Sequence, residues 1–219
     1  MPLILRGLRW NGADAIVTDD GGRRSEKDSR AESLLADYAA GALSEPFAVL
    51  VAAHRQMRGE GRVGAMPLSP IDRSPRLTAA PSNQVWDETG VIMPLALRSY
   101  VSRQQETPGT LEWRLFLPGI ERCWISRVNG TQAYLLRCRP GSAVPPHTHT
   151  GREAALVLQG GFHDARGRYG VGDLAVADHT VAHRPVADRE GICIIFVVLE
   201  GPVKLTGLVG RLIQRIFRM

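Results

Sequence analysis

The segment Gly141-Ser-Ala-Val-Pro-Pro-His147-Thr-His149-Thr-Gly-Arg-Glu153, closed by Gly160, constrains the fold of this chain more than any other stretch. His147 and His149 stand two residues apart. In an extended strand that spacing puts both side chains on one face, so both imidazoles can turn toward one ion. Glu153 follows after Thr150, Gly151 and Arg152 and can add a carboxylate oxygen. Imidazole and carboxylate together suit zinc, iron, manganese or nickel. The set needs one more ligand from elsewhere, and so a fold that returns to this place.

His183 is the preferred fourth ligand. It lies thirty residues after Glu153, beyond a segment from Gly167 to Asp178 that reads as turn, strand and turn. A chain that runs out along one strand and back along another brings position 183 beside position 153. His163 and His179 compete by nearness alone. Val181, His183 and Pro185 share one parity, which suits a strand lining a cavity mouth. Together His147, His149, Glu153 and His183 fill a tetrahedral zinc, or leave two positions open on six-coordinate iron or manganese. One divalent metal is expected, with zinc preferred and iron or manganese as alternatives.

Strand signals dominate residues 96–201. Trp113 to Leu117, Cys123 to Ile125, Ala133 to Cys138 and Ala155 to Leu158 are short apolar runs separated by glycines. Ile192 to Leu199 is continuously apolar and reads as a strand buried on both faces. Residues 31–57 read instead as two short helices. Leu34, Leu35, Tyr38, Ala39 and Ala42 recur at helical spacing, and Phe47, Leu50, Val51 and His54 share a second face. Ser44 is a candidate N-cap with Pro46 in the following first turn. Helices this short need each other, a partner chain or the strands to bury their apolar sides.

The remaining segments carry weaker signals. Residues 1–30 read as a flexible polar tail, and 67–95, punctuated by prolines, as a linker. Residues 204–219 show an apolar stripe at helical spacing, which suits a helix on the barrel or at a homodimer seam. Composition excludes some classes. The chain has 219 residues, 44% hydrophobic and 22% charged, in the range of a globular protein. No apolar run approaches a membrane span, and a cytoplasmic location is the expectation. Of the net charge of +5, +4 lies in Lys204, Arg211, Arg215 and Arg218, so the excess does not spread over a nucleic-acid-binding face. Three cysteines, Cys123, Cys138 and Cys193, form no paired framework and read as buried thiols.

The spacing Gly141-x5-His147-x-His149-x3-Glu153-x6-Gly160 matches the first cupin motif throughout. The second motif is partial, with Gly172, Asp173 and His183 in place and Ala187 where an asparagine is usual. The resemblance implies a mainly β protein. Its core would be a cupin-type antiparallel barrel with the metal inside, preceded by a small N-terminal helical module and followed by a C-terminal helix.

A closer resemblance extends further. Leu34-Leu-Ala-Asp-Tyr through His54, then His147-Thr-His-Thr-Gly-Arg-Glu, Leu156-Val-Leu-Gln-Gly-Gly-Phe-His-Asp164 and Gly167-Arg-Tyr-Gly-Val-Gly-Asp173 resemble ChrR-type anti-sigma factors. So does Leu205-Thr-Gly-Leu-Val-Gly-Arg-Leu. The resemblance divides the chain into a helical module at 31–66 and a cupin domain at 96–219. It implies that residues 31–57 bind an ECF-type sigma factor, and that the metal cupin answers to oxidative stress or to a small ligand in the barrel. In that family the module holds zinc through His-x3-Cys-x2-Cys and an earlier histidine. Here Arg58 and Gly61 stand in the cysteine positions after His54, and no histidine precedes it, so that site is expected to be empty.

The expected function is therefore a transcriptional regulator with one metal site and no direct contact with nucleic acid. Two alternatives follow from the same residues. One is a metal-dependent dioxygenase or isomerase, with Arg137, Arg139 or Arg184 pairing a substrate carboxylate. The other is a metal-stabilised binding module without sigma-factor activity.

Overall fold

The computed structural model describes residues 21–60, 85–86, 91–105 and 110–206, with side chains for 29–60, 93–105 and 110–206. Three helices come first in most of the chain order: α1 (Gly21–Ala39), α2 (Glu45–Met57) and, after the strand pair β1 (Val85–Trp86) and β2 (Val91–Ile92), α3 (Leu95–Gln104). Eleven strands follow. They are β3 (Arg114–Leu117), β4 (Ile120–Val128), β5 (Thr131–Cys138), β6 (His147–His149), β7 (Glu153–Gln159) and β8 (Gly161–Asp164). Then come β9 (Gly167–Gly170), β10 (Leu174–Ala177), β11 (Val186–Ala187), β12 (Cys193–Glu200) and β13 (Val203–Leu205).

The continuous apolar run near the end of the chain becomes β12, and it lies inside a six-stranded antiparallel sheet of order β10-β7-β12-β5-β4-β3. Seven of its eight residues are buried, because both faces of this sheet are covered. Ile194, Phe196 and Val198 point to the helices; Cys193, Ile195 and Val197 point the other way. The inner face is closed by a three-stranded sheet, β11-β8-β9, and by the pair β13-β6. The barrel is thus a sandwich of separate antiparallel sheets, without one continuous hydrogen-bonded wall. Gly160 turns β7 into β8 at φ 66°, where a side chain would press on the Ile192 carbonyl at 2.6 Å.

The helical pair buries its apolar side on the outer face of the six-stranded sheet. Leu34 of α1, Phe47, Leu50 and Val51 of α2, and Leu97 and Val101 of α3 join one core with Leu135, Leu156 and Phe196. Tyr100 of α3 shares a hydrogen bond with Ser126 of β4. Each other and the barrel are therefore the partners these helices needed. Ser44 has the extended backbone of an N-cap, but its side chain makes no capping bond, and Pro46 sits in the first turn as expected.

Polar ties fasten the module at three points. Arg30 Nε donates to Asp178 Oδ2 at 3.2 Å, and Arg152 Nη1 donates to Asp37 Oδ2 at 2.7 Å. At the end of α2, His54 Nδ1 donates to the Gly172 carbonyl at 2.8 Å and Arg58 Nη2 to Asp173 Oδ1 at 3.1 Å. A carbonyl only accepts, so His54 carries its proton on Nδ1.

The structure differs from the sequence expectations at four places. Residues 21–30, read as tail, are the first turns of α1. Once Leu34 and Arg30 are anchored, extending a helix costs far less than starting one. Residues 1–20 lie outside the described residues. The segment read as linker contains the β1–β2 pair. The region read as all strand opens with α3, whose Leu97, Tyr100 and Val101 fall at helical spacing. Lys204 and Leu205, read as the start of a helix, belong to β13, where pairing with β6 overrides the helical period. The rest of that helix candidate lies outside the described residues. No helix among the described residues is long and apolar enough to cross a membrane.

Two outcomes are expected from this packing. Phe47 is fully buried, so Phe47→Ala should cost roughly 3–5 kcal/mol in urea unfolding. The second concerns pH. Burial pushes the Asp178 carboxyl up, but hydrogen bonds from Thr180 and Arg30 outweigh it and hold the group at about 2, below its ordinary 3.8. A depressed carboxyl stabilises the docked state fully above its ordinary value and loses that contribution as pH falls through about 2. Pepsin should therefore cut α1 faster at about pH 2 than at about pH 4, and Asp178→Asn should remove most of that difference.

Candidate metal centre

His147 and His149 are the ends of the three-residue strand β6, which pairs with β13 on one side. On its other side His147 exchanges two backbone hydrogen bonds with His183, at 3.0 and 2.9 Å. This bridge sets the two imidazoles against each other, with ring centroids 4.4 Å apart. Glu153 opens β7 one tight turn after His149. Gly151 makes that turn possible, since a side chain there would lie 2.6 Å from the Glu200 carbonyl. The four side chains predicted from sequence thus converge, with one ligand atom of each within 4.8 Å of all the others.

The protonation states favour a cation at the point of convergence. His147 Nδ1 lies 2.8 Å from the Pro145 carbonyl, which only accepts, so the proton is on Nδ1 and Nε2 is a free lone pair. His183 Nδ1 lies 3.1 Å from Asp164 Oδ2. Burial pushes the Asp164 carboxyl up, but bonds from His183 and Arg166 prevail and hold it at about 2, so it is ionised and only accepts. Arg166 Nη2 lies 3.3 Å from the same nitrogen but donates to Asp164 Oδ2 at 2.9 Å, so the carboxylate sets the tautomer and His183 also turns a bare Nε2 inward. The two Nε2 atoms face each other at 3.0 Å. Burial drives the His147 imidazole down to about 4, keeping it neutral and fit to ligate.

His149 adds the sharpest indication. It is buried, and neither ring nitrogen has a hydrogen-bond partner. Its Nε2 stands 3.1 Å from Glu153 Oε2 without hydrogen-bond alignment. Leaving such a group unsatisfied costs about 1–3 kcal/mol. Glu153 is largely shielded, its side chain 12% exposed. Three converging imidazoles, two of them with inward lone pairs, and one carboxylate fit a divalent cation.

Two features that order the centre were not visible in the sequence. Asp164 and Arg166 flank the β8–β9 turn and read as ordinary turn residues. In the structure Asp164 accepts from both Arg166 and His183. Nothing in a linear pattern says that a turn carboxylate will meet a histidine 19 residues away. A cavity of about 380 Å³ also opens beside His147, Glu153 and His183, lined mainly by apolar side chains such as Leu136, Phe162 and Val197.

Other candidates fall away. His163 is exposed and pairs with Asp188, and His179 is exposed at a turn. Arg137 is tied to Glu121 at 2.8 Å, and none of Arg137, Arg139 and Arg184 lines the cavity. The arginine that does line it is Arg166. All three cysteines are buried and free. Burial pushes the Cys138 thiol up to about 12 and Cys193 higher still, so both remain unreactive thiols at neutral pH.

Comparison with known proteins places this arrangement. Residues 102–203 match the ChrR Cupin-like domain. The chain is 32% identical to the Anti-sigma-E factor ChrR of Cereibacter sphaeroides, over 86% of its own length and 96% of that protein's. It also resembles a solved structure of Rhodobacter sphaeroides SigE in complex with the anti-sigma ChrR. There the TM-score is 0.56 at 30% identity, covering 77% of this chain and 96% of that one. The fold is a cupin fold, and the chain belongs to the ChrR family.

Asp164→Asn is expected to weaken divalent-metal binding about 10- to 100-fold, by freeing the tautomer and orientation of His183. Chelator competition on the folded variant measures it. His163→Ala, at an exposed site, should leave the affinity unchanged.

Proposed function

We propose that this chain is a ChrR-type anti-sigma factor. Its α1–α2 pair would hold an ECF-type sigma factor, and its cupin would bind one zinc ion through His147, His149, Glu153 and His183 and answer to oxidative stress or a small ligand. The observation that carries this reading is the extent of the likeness, which runs through helical module and cupin together and spans 96% of the curated relative. Such a protein acts in the cytoplasm, where its partner works.

Zinc is favoured by the donor set. Three imidazoles and a carboxylate complete a tetrahedral shell, and zinc so held supplies structural cross-linking without redox chemistry. The second zinc motif of the family is replaced by a polar clasp. His54 and Arg58, the residues that stand in that motif, bond to Gly172 and Asp173 of the cupin. The clasp does with hydrogen bonds what a metal does elsewhere: it fixes the end of α2.

The apolar side of α1 and α2 is buried on the sheet, so it cannot pack against a sigma factor at the same time. Capture through that side requires the pair to lift. A signal at the cupin then acts by favouring the docked or the lifted state.

Two measurements test the proposal. Metal analysis of the purified protein should find one equivalent of zinc, lost in His149→Ala; iron with exchangeable water would point to an enzyme instead. The chain should also co-purify with an ECF-type sigma factor from its host. The double variant His54→Ala/Arg58→Ala, which opens the clasp, should bind that sigma factor more tightly than the parent. Equal or weaker binding would count against capture through the lifted face.

A further inference from the structure

Several arginines among the described residues sit against an acid. Arg30, Arg58, Arg103, Arg137, Arg152 and Arg166 each sit within 3.2 Å of a carboxylate oxygen. Arg122 and Arg127 do not. Their described contacts are with aromatic rings. The Arg122 guanidinium lies 4.0 Å from the ring centre of Phe116 and 4.1 Å from that of Trp124, with Tyr134 at 5.8 Å. The Arg127 guanidinium lies 3.5 Å from the Trp124 ring centre. Rings stacked on a guanidinium leave its N–H edge free and hold that edge in a fixed plane. That is the geometry suited to a bidentate oxyanion.

The position of this box is as informative as its chemistry. Arg122 sits opposite Leu136 in the β4–β5 register, and Leu136 lines the cavity beside the imidazole cluster. Phe116 and Tyr134 line that cavity as well. Phe116 also borders a shallow depression shared with Arg122, Trp124 and Arg127. Cavity and arginine box are thus neighbours, with Phe116 as their shared wall. Within the cavity, Arg166 has committed its donors to Asp164 and to the Val176 carbonyl. The guanidinium of Arg122, across Phe116 from the cavity, faces no carboxylate among the described residues. Burial also lowers the pKa of Arg122 somewhat, a mark of a cation partly withdrawn from water.

We propose that the cavity takes an amphipathic monocarboxylic acid, with its apolar body inside the barrel beside the metal centre and its carboxylate on the N–H edge of Arg122, assisted by Arg127. This rests on reading the cavity as the ligand chamber of the cupin, and it names the class of molecule that chamber selects. An apolar lining recognises the body without direction, while the arginine box recognises the head. A neutral chain of the same length meets only the first.

The test is calorimetric titration of the metal-loaded, full-length protein with hexanoate, octanoate, decanoate and 1-octanol. Octanoate should bind at least about tenfold tighter than octanol, the range of a charge-assisted hydrogen bond. Each added methylene should tighten binding about fourfold until the cavity is full. Arg122→Gln should abolish the preference for acid over alcohol and leave octanol affinity unchanged. Arg122→Lys should keep part of the preference, and Arg139→Gln all of it. Zinc content and thermal melting establish that each variant is folded. Equal affinity for acid and alcohol overturns the proposal. So does octanoate binding that is insensitive to Arg122→Gln, because the head then sits at the metal centre. Absence of binding by every chain overturns it also. None of these results touches sigma-factor capture or zinc content, which are measured separately.

Discussion

Everything in this molecule is arranged around one strand that is buried on both faces. β12 pairs with β5 along its whole length and with β7 on the other side. Alternate residues serve two cores: Ile194, Phe196 and Val198 support the helices, and Ile195 and Val197 wall the cavity. A shift of one residue in its register would exchange these two sets. The helical module and the metal centre are therefore positioned by the same backbone. Apolar packing fixes that backbone, and polar groups are then hung on it at both ends.

The metal centre depends on a second, more local device. Two reciprocal backbone hydrogen bonds between His147 and His183 bring the imidazoles into contact. Acceptors outside the cluster, the Pro145 carbonyl and the Asp164 carboxylate, then claim the outer ring nitrogens. The inward nitrogens are left bare by default. A site built this way is preorganised: its tautomers are selected before any cation arrives. The buried, unpartnered imidazole of His149 is the cost of that arrangement, and a metal ion removes it.

The departure at the end of α2 gives the family's architecture a particular form here. There His54 and Arg58 bond to the segment between β9 and β10 of the cupin. The module is thus coupled to the barrel by groups whose bonds are individually weak and readily exchanged with water. Such coupling suits a docked state that must sometimes open. The two ends of β10 matter together, since Asp173 holds α2 and Asp178 holds α1.

The candidate ligand set was legible in the sequence alone. His147, His149, Glu153 and Gly151 between them are local, and strand periodicity and motif spacing single them out without a fold. The main strands and both N-terminal helices were legible for the same reason, because apolar period is a property of neighbours along the chain. The choice of His183 over His163 and His179 rested on parity, and the structure brings His183 to the cluster. What tertiary structure decided is what depends on distant residues meeting. It recruited Asp164 and Arg166 from a turn, drew residues 21–30 into α1, and turned Lys204 and Leu205 into a strand. It also left Arg122 and Arg127 among aromatic rings with no acid beside them among the described residues. Ligand identity is written in residue types at short spacing; partnership, burial and the free edge of a guanidinium exist only once the chain has folded back on itself.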